Sequence, residues 1–332
     1  MHGRRRELVR EASVDEKEQA RRRVEKYREL NDLVMGMRAK GDFSQEALAA
    51  TKRLLELNTE LHTVWNYRRT IFLNLDCWEN PQDRQTLLKQ EMDFLMDIIR
   101  KNIKSYWMWG HRVWVLTEHP SPDWKRELAL VERLLEADAR NYHGWDYRRF
   151  VASRLKESGT VSADAVDESE FVFTTQQINK DCANHSAWHN RSKLLPGVLQ
   201  RCASDEERKS ILDKEIDMII NAIYTDPDDQ NAWLYHEWLL DIQPGTEERC
   251  ALLRAKVTAI REILELEDDS KRPLIELVEA FIALSEQSPE SVSDAEKSEC
   301  VEVLGRLKIL DPYHIERYRD TESMLAKRWS IC

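Results

Sequence analysis

The feature that most constrains this chain is an internal repeat. Five segments align without gaps on a tryptophan: Asn58 to Arg68, Asn102 to Arg112, Asp138 to Arg148, Asp181 to Arg191 and Asp226 to His236. In each, an Asn or Asp stands seven residues before the Trp, which is Trp65, Trp109, Trp145, Trp188 or Trp233. Arg68, Arg112, Arg148 and Arg191 lie three residues after it in the first four, and His236 takes that place in the fifth. A further copy runs from Asp311 to Tyr318, keeping the acid and an aromatic but losing the Arg. The Trp-to-Trp intervals are 44, 36, 43 and 45 residues, followed by 85 to Tyr318. That last gap is two periods, which places a decayed unit within 260–285, where Leu264 to Leu284 is the best match.

A helical pattern precedes each box. Ala47 to Asn58, Glu91 to Asn102, Glu127 to Asp138 and Glu215 to Asp226 carry apolar residues at i, i+3, i+4 and i+7. The Asn or Asp closing each run is a residue that accepts left-handed geometry, so it predicts a cap or turn. A second helix then starts near the Trp, with Trp65, Arg68, Arg69 and Phe72 on one face, and likewise Trp145, Arg148, Arg149 and Ala152. The unit is thus a helical hairpin too short to bury its own apolar face, so neighbours must stack. The spacing predicts an all-α, α-α superhelix: one α-solenoid domain over 1–332, with boxes at about 47–73, 91–116, 127–153, 171–195, 215–240, 260–285 (degenerate) and 301–322. The tryptophans are then inter-repeat core. An Arg on the same face is partly buried and needs an acceptor in an adjacent unit.

Outside the boxes, residues 12–40 read as a charged amphipathic helix ending near Gly41, and Asp42 to Gln45 as a capping box for the next one. Residues 154–170 read as the clearest loop, small, polar and acidic, with a second polar interruption from Asp241 to Arg249.

Charge and motifs exclude several functions. The net charge of −11 argues against a general affinity for nucleic acid, and the basic runs Arg4 to Arg6 and Arg21 to Arg23 read as solvated helix charge. Six widely spaced cysteines with no C-x-x-C pair suit a reducing, cytoplasmic compartment. No apolar run of 18 residues is present to cross a membrane, and the charged start does not read as a secretory signal. Terminal Cys332 does not make a C-a-a-X box. Phosphate loops, nucleophile elbows and H-E-x-x-H are all absent. His185 and His189 are four apart, as helical metal ligands can be, but they flank Trp188 and no third ligand is apparent. From residues alone the chain is a helical repeat protein without a self-contained catalytic set.

The ordered boxes, and above all the stretches Asn141 to Val151, His185 to Pro196 and Asp226 to Leu240, resemble the protein prenyltransferase α subunits over roughly residues 20–330. Within that family they are most similar to the Rab geranylgeranyltransferase branch, in a short form without leucine-rich or immunoglobulin-like domains. The resemblance implies a heterodimer with a β subunit that holds the zinc and the isoprenoid pocket, leaving no metal site on this chain. The implied reaction moves geranylgeranyl from geranylgeranyl diphosphate to C-terminal cysteines of a Rab GTPase presented by an escort protein. The α subunit shared by farnesyltransferase and type I geranylgeranyltransferase, and a non-enzymatic scaffold, are the alternatives. In the family's pattern a Lys five residues before the second box's Trp contacts the diphosphate, with a Tyr two residues later; here these are Lys104 and Tyr106. The other boxes carry Glu60, Arg140, Ala183, Asp228 and Tyr313 at that offset. The resemblance also implies a regulatory approach of the N-terminal segment, with His2, to the partner's zinc.

Overall fold

The protein, seen in a computed structural model, is described at residues 13–243 and 245–329. Among these residues every regular element is a helix. A leading helix α1 (Val14–Ala39) is followed by seven hairpins: α2 (Gln45–Leu57) with α3 (His62–Asn74), α4 (Pro81–Lys101) with α5 (Tyr106–Glu118), α6 (Trp124–Ala137) with α7 (Tyr142–Glu157), α8 (Ala163–Lys180) with α9 (His185–Gln200), α10 (Asp205–Thr225) with α11 (Gln230–Asp241), α12 (Thr246–Leu266) with α13 (Lys271–Gln287), and α14 (Asp294–Leu310) with α15 (Ile315–Trp329). The chain divides into two compact units: one takes the chain up to Glu136 together with Asn141–Val151, and the other Ala137–Arg140 together with the residues from Ala152 onward.

In both units the box tryptophans are buried, with Trp65, Trp109, Trp145, Trp188 and Trp233 all at most 5% exposed. They do more than fill space. The indole N–H of Trp65 donates to the Thr59 carbonyl at 2.8 Å, Trp109 to Ile103 at 2.8 Å, Trp188 to Cys182 at 2.7 Å and Trp233 to Pro227 at 2.9 Å. Each acceptor lies six residues upstream, in the turn between the two helices of the hairpin. The ring is therefore a staple that satisfies a turn carbonyl the fold would otherwise bury unpaired.

The turns themselves differ from the sequence expectation. The Asn or Asp that ends the first helix is extended, with φ −148° at Asn58, −145° at Asn102, −151° at Asp181 and −146° at Asp226. At Asn58 and Asp181 the side chain makes an Asx turn: Asn58 Oδ1 accepts from the Glu60 N–H at 3.0 Å and Asp181 Oδ1 from the Ala183 N–H at 3.1 Å. Among the described residues positive φ is confined to Gly41 (67°) and Gly159 (66°), where the missing Cβ makes it cheap. Nor does Asp42 open a capping box. The cap of α2 is Ser44, whose hydroxyl accepts from the Ala47 N–H, and Asp42 supports Ser44 from outside the helix. The loop expected over 154–170 shrinks to 158–162. Ser162 caps α8, and the acidic residues that read as loop lie on helix, where Asp167 pairs with Lys156 and Arg201. Polarity there marks an exposed helix face rather than irregular chain.

Three of the repeated arginines, Arg68, Arg112 and Arg191, find their acceptors in the next hairpin. Arg68 grips Glu91 of α4 through Nε at 2.7 Å and Nη2 at 2.5 Å, and its other arm donates to the Leu48 carbonyl and Thr51 hydroxyl. Arg112 does the same with Glu127 of α6 at 2.8–3.0 Å, and Arg191 with Glu215 of α10. Each glutamate also takes a bond from its own hairpin, two residues past the Trp: His111 on Glu91 (2.8 Å), Tyr147 on Glu127 (2.5 Å) and Tyr235 on Glu215 (2.8 Å). Burial alone would raise the Glu91 carboxyl, but the Arg68 guanidinium and the His111 bond hold it down at about 2. Bidentate pairing of this kind is what makes a buried ion pair tolerable.

The decayed unit inverts this charge pattern. Its hairpin is α12–α13, with Leu274 in the Trp position. Buried Lys256 occupies the place of the glutamate, and its partner Glu276 stands where His111, Tyr147 and Tyr235 stand in other hairpins, at 2.5 Å. The preceding box accordingly has His236 instead of Arg: fully buried, with burial first and the Lys256 cation second lowering its imidazole to about 3. A guanidinium there would face an ammonium across a dry interface.

Candidate functional site

Lys104 lies in the turn between α4 and α5, and Tyr106 opens α5. Both are exposed, Tyr106 at 64%. Apolar and aromatic side chains facing water need a reason when they gather. Here they form a row, because the residue three before each Trp starts the second helix of its hairpin. Tyr106 and Tyr142 stand 6.5 Å apart between ring centroids, and His143 meets Tyr106 edge-on at 4.2 Å. On the other side His62 packs on Trp107 at 4.1 Å. A groove of about 490 Å³ opens between His62, Tyr106 and Trp107, with Glu60, Asn66, Arg69 and Gly110 among its walls.

The Lys104 turn is clamped from the preceding hairpin. Asn102 Nδ2 donates to Thr59 Oγ1 at 2.7 Å, and the Ser105 hydroxyl donates to the Thr59 carbonyl at 3.2 Å. Trp109 holds the Ile103 carbonyl from below. From the following hairpin, the His143 ring stands edge-on to Tyr106, and partial burial lowers its imidazole while Asp146 and the nearby Lys104 backbone pull it back up. The Lys104 ammonium itself has no ion-pair or hydrogen-bond partner among the described residues. At the same offset in the third box Arg140 is occupied, bonded to Asp181 at 3.0 Å. The turn thus carries an exposed cation beside a groove walled by aromatic rings.

The remaining residues singled out in the sequence are placed as follows. Trp65, Arg68, Trp109, Arg112, Trp145, Arg148, Trp188, Arg191, Trp233 and His236 are all buried in the hairpin core, away from solvent. Among the described residues, His185 and His189 contribute to no cluster of metal-ligating geometry. One group of three carboxylates, Glu237, Glu276 and Glu279, does converge among the described residues, but Lys256 and Arg272 bind Glu276 and Arg317 binds Glu279, so charge there is already met. His2 lies outside the described residues. Sequence reasoning missed His143 and the groove wall, since neither has a motif of its own. It also missed the glutamates, although Glu91, Glu127, Glu170 and Glu215 each stand 18 residues before a box Trp.

Among the described residues the fold is that of an all-α protein built of repeated helical hairpins. The protein prenyltransferase alpha subunit repeat matches residues 44–75, 88–119, 124–155, 167–196 and 212–243. Geranylgeranyl transferase type-2 subunit alpha of Saccharomyces cerevisiae is 36% identical over 250 residues, covering 72% of each chain. Its counterpart in Rattus norvegicus is 38% identical over 244 residues, 72% of this chain but 42% of that one, so this chain spans less than half the length of the mammalian relative. The chain belongs to the protein prenyltransferase α subunit family. Its fold is that of a chain in Candida albicans protein geranylgeranyltransferase-I complexed with GGPP, with a TM-score of 0.66, 24% identity and 91% of both chains covered. No described helix is long and apolar enough to cross a membrane.

Proposed function

We propose that this chain is the α subunit of a cytoplasmic type-2 geranylgeranyltransferase. It acts as a heterodimer with a zinc-bearing β subunit on Rab GTPases held by an escort protein. The names of the relatives support the substrate class. The observation that carries the chemistry is the uncommitted Lys104 ammonium on a clamped turn, with Tyr106 beside it.

In the transfer, a cysteine sulfur of the Rab tail forms a bond to C1 of the isoprenoid as the C1–O bond breaks, and diphosphate leaves with the bonding pair. Negative charge grows on the leaving group along this path. A cation already fixed beside it therefore stabilises the transition state more than the ground state. Zinc, which the β subunit would hold, would supply the activation of the thiol; Lys104 answers the opposite end of the reaction. Tyr106 offers its hydroxyl and ring face at the mouth of the groove, where it orients the diphosphate end against the tail.

Lys104→Ala in the purified heterodimer tests this. The single-turnover rate should fall by about 10²–10³, or about 2.7–4 kcal/mol of barrier, as for loss of one preorganised donor, with the heterodimer intact. An unchanged rate refutes the assignment. Transfer to a C-a-a-X peptide but never to Rab with its escort would instead show the α subunit of the other prenyltransferases.

A further inference from the structure

A buried guanidinium is costly unless its N–H groups are met. Two of the repeated arginines meet theirs through the first helix of their own hairpin. Arg68 Nη1 donates to the Leu48 carbonyl at 2.6 Å and the Thr51 hydroxyl at 2.8 Å. Arg191 Nη1 donates to the Phe171 carbonyl at 3.2 Å and to the hydroxyls of Thr174 and Thr175 at 3.0 and 2.8 Å. Arg112, only 2% exposed, holds Glu127 through Nε and Nη2, but its Nη1 has no hydrogen-bond partner among the described residues. The cause lies in the sequence. Thr174 and Thr175 stand 17 and 16 residues before Arg191, whereas Leu95 and Met96 stand at those distances before Arg112.

The side on which Arg112 lacks acceptors faces a pocket. This pocket, of about 420 Å³, lies between α4 and α6, and Arg112 shares its wall with Met92, Met96, Leu116, Ala129 and Leu130. Its volume suits a small molecule, and methionines readily reshape around one. Charge narrows the class. Glu127 already neutralises Arg112, so a second carboxylate beside it would be buried without compensation. The groups that meet the same nitrogen in Arg68 and Arg191 are neutral carbonyl and hydroxyl oxygens. Exposed Lys89, Arg126 and Arg133 are offset by Asp93 and Asp123 around the pocket, which leaves little net sign to attract an ion.

We propose that this pocket binds a small neutral molecule carrying a carbonyl or hydroxyl oxygen on an apolar body: the oxygen accepts from Arg112 Nη1, and the body packs against Met92, Met96 and Leu130. The pocket reaches His119 and Asp123, beyond the end of α5. The Lys104 turn lies before the other end of that helix, about 20 Å away at 1.5 Å per residue. The site therefore stands apart from the function proposed for Lys104.

Three soluble probes of similar size test this on the full chain by isothermal titration calorimetry. N-butylbenzamide is a neutral acceptor, N-butylbenzylammonium has donors only, and 6-phenylhexanoate is an anion. The amide should bind once per chain with a Kd below about 1 mM, and the other two at least tenfold more weakly. Met96→Thr offers Arg112 the hydroxyl that Thr175 offers Arg191, so it should weaken the amide at least tenfold while the melting temperature holds or rises. Ala129→Phe, at an exposed position, fills the pocket and leaves Arg112 untouched; it is the second variant should Met96→Thr not fold, and it should abolish binding. No saturable binding of the amide, or unchanged binding in either folded variant, overturns the site. Binding of 6-phenylhexanoate or N-butylbenzylammonium as tight as that of the amide overturns the neutral class.

Discussion

A guanidinium can sit in a protein interior only where its donors are met, and removing one partner leaves the other charge stranded. Arg68 is 3% exposed, and Glu91, His111, Thr51 and the Leu48 carbonyl surround its site. Glu91→Gln should therefore destabilise the protein by about 3–5 kcal/mol, read from denaturant unfolding, whereas Arg68→Met with Glu91→Leu should cost much less. Acid should act through the same residue. Because the folded Glu91 carboxyl lies at about 2, well under its ordinary value of 4.5, its stabilisation is complete above pH 4.5 and drains away as pH falls toward 2. Melting temperatures of the wild type should drop more steeply than those of Glu91→Gln across that interval; parallel curves would contradict the pairing. At this scale the sequence was more informative than the reading made of it. That the arginines need acceptors follows from Trp-x-x-Arg on one face, and the acceptors repeat at a fixed offset. Periodicity of apolar residues hides them, because a glutamate inside an amphipathic run looks like part of its solvated face.

Between elements, the exchange at α11, α12 and α13 shows that the pairs are chosen together. His236 precedes Lys256, and Lys256 meets Glu276, so restoring the box arginine should harm the fold. His236→Arg should lower stability by about 3–5 kcal/mol through an unpaired buried charge, and adding Lys256→Glu should return part of it, both read as melting temperature. A His236→Arg protein as stable as the wild type would refute the inverted pattern. His236 has its own pH signature. Its folded imidazole titrates at about 3 against an ordinary 6.5, so the unfolded chain binds the extra proton first, and stability falls as pH drops from 6.5 toward 3. His236→Phe should flatten that part of the curve. Hairpin existence was legible from the sequence here, whereas turn geometry was not. Asn and Asp suit both a left-handed cap and an Asx turn, and the indole N–H bond selects between them only once the hairpin has closed.

For the whole molecule, the exposed tyrosines and tryptophan at the hairpin turns suit a chain that works against a partner. Co-expressed with a prenyltransferase β subunit, it should purify as a one-to-one complex, and a chain that runs alone by size exclusion beside its candidate β subunit would contradict the proposed assembly. What the sequence determined by itself was the helical hairpin, its period, its buried Trp-and-Arg face and the singular Lys104, since all are set by residue identity at fixed local spacing. What only the tertiary structure decided was which groups meet: Arg68 with Glu91, the indoles with turn carbonyls, Lys256 with Glu276, and His143 with Tyr106. Those partners lie six to about forty residues apart, a distance over which helix periodicity carries no information and only the packing of one hairpin on the next brings the atoms together.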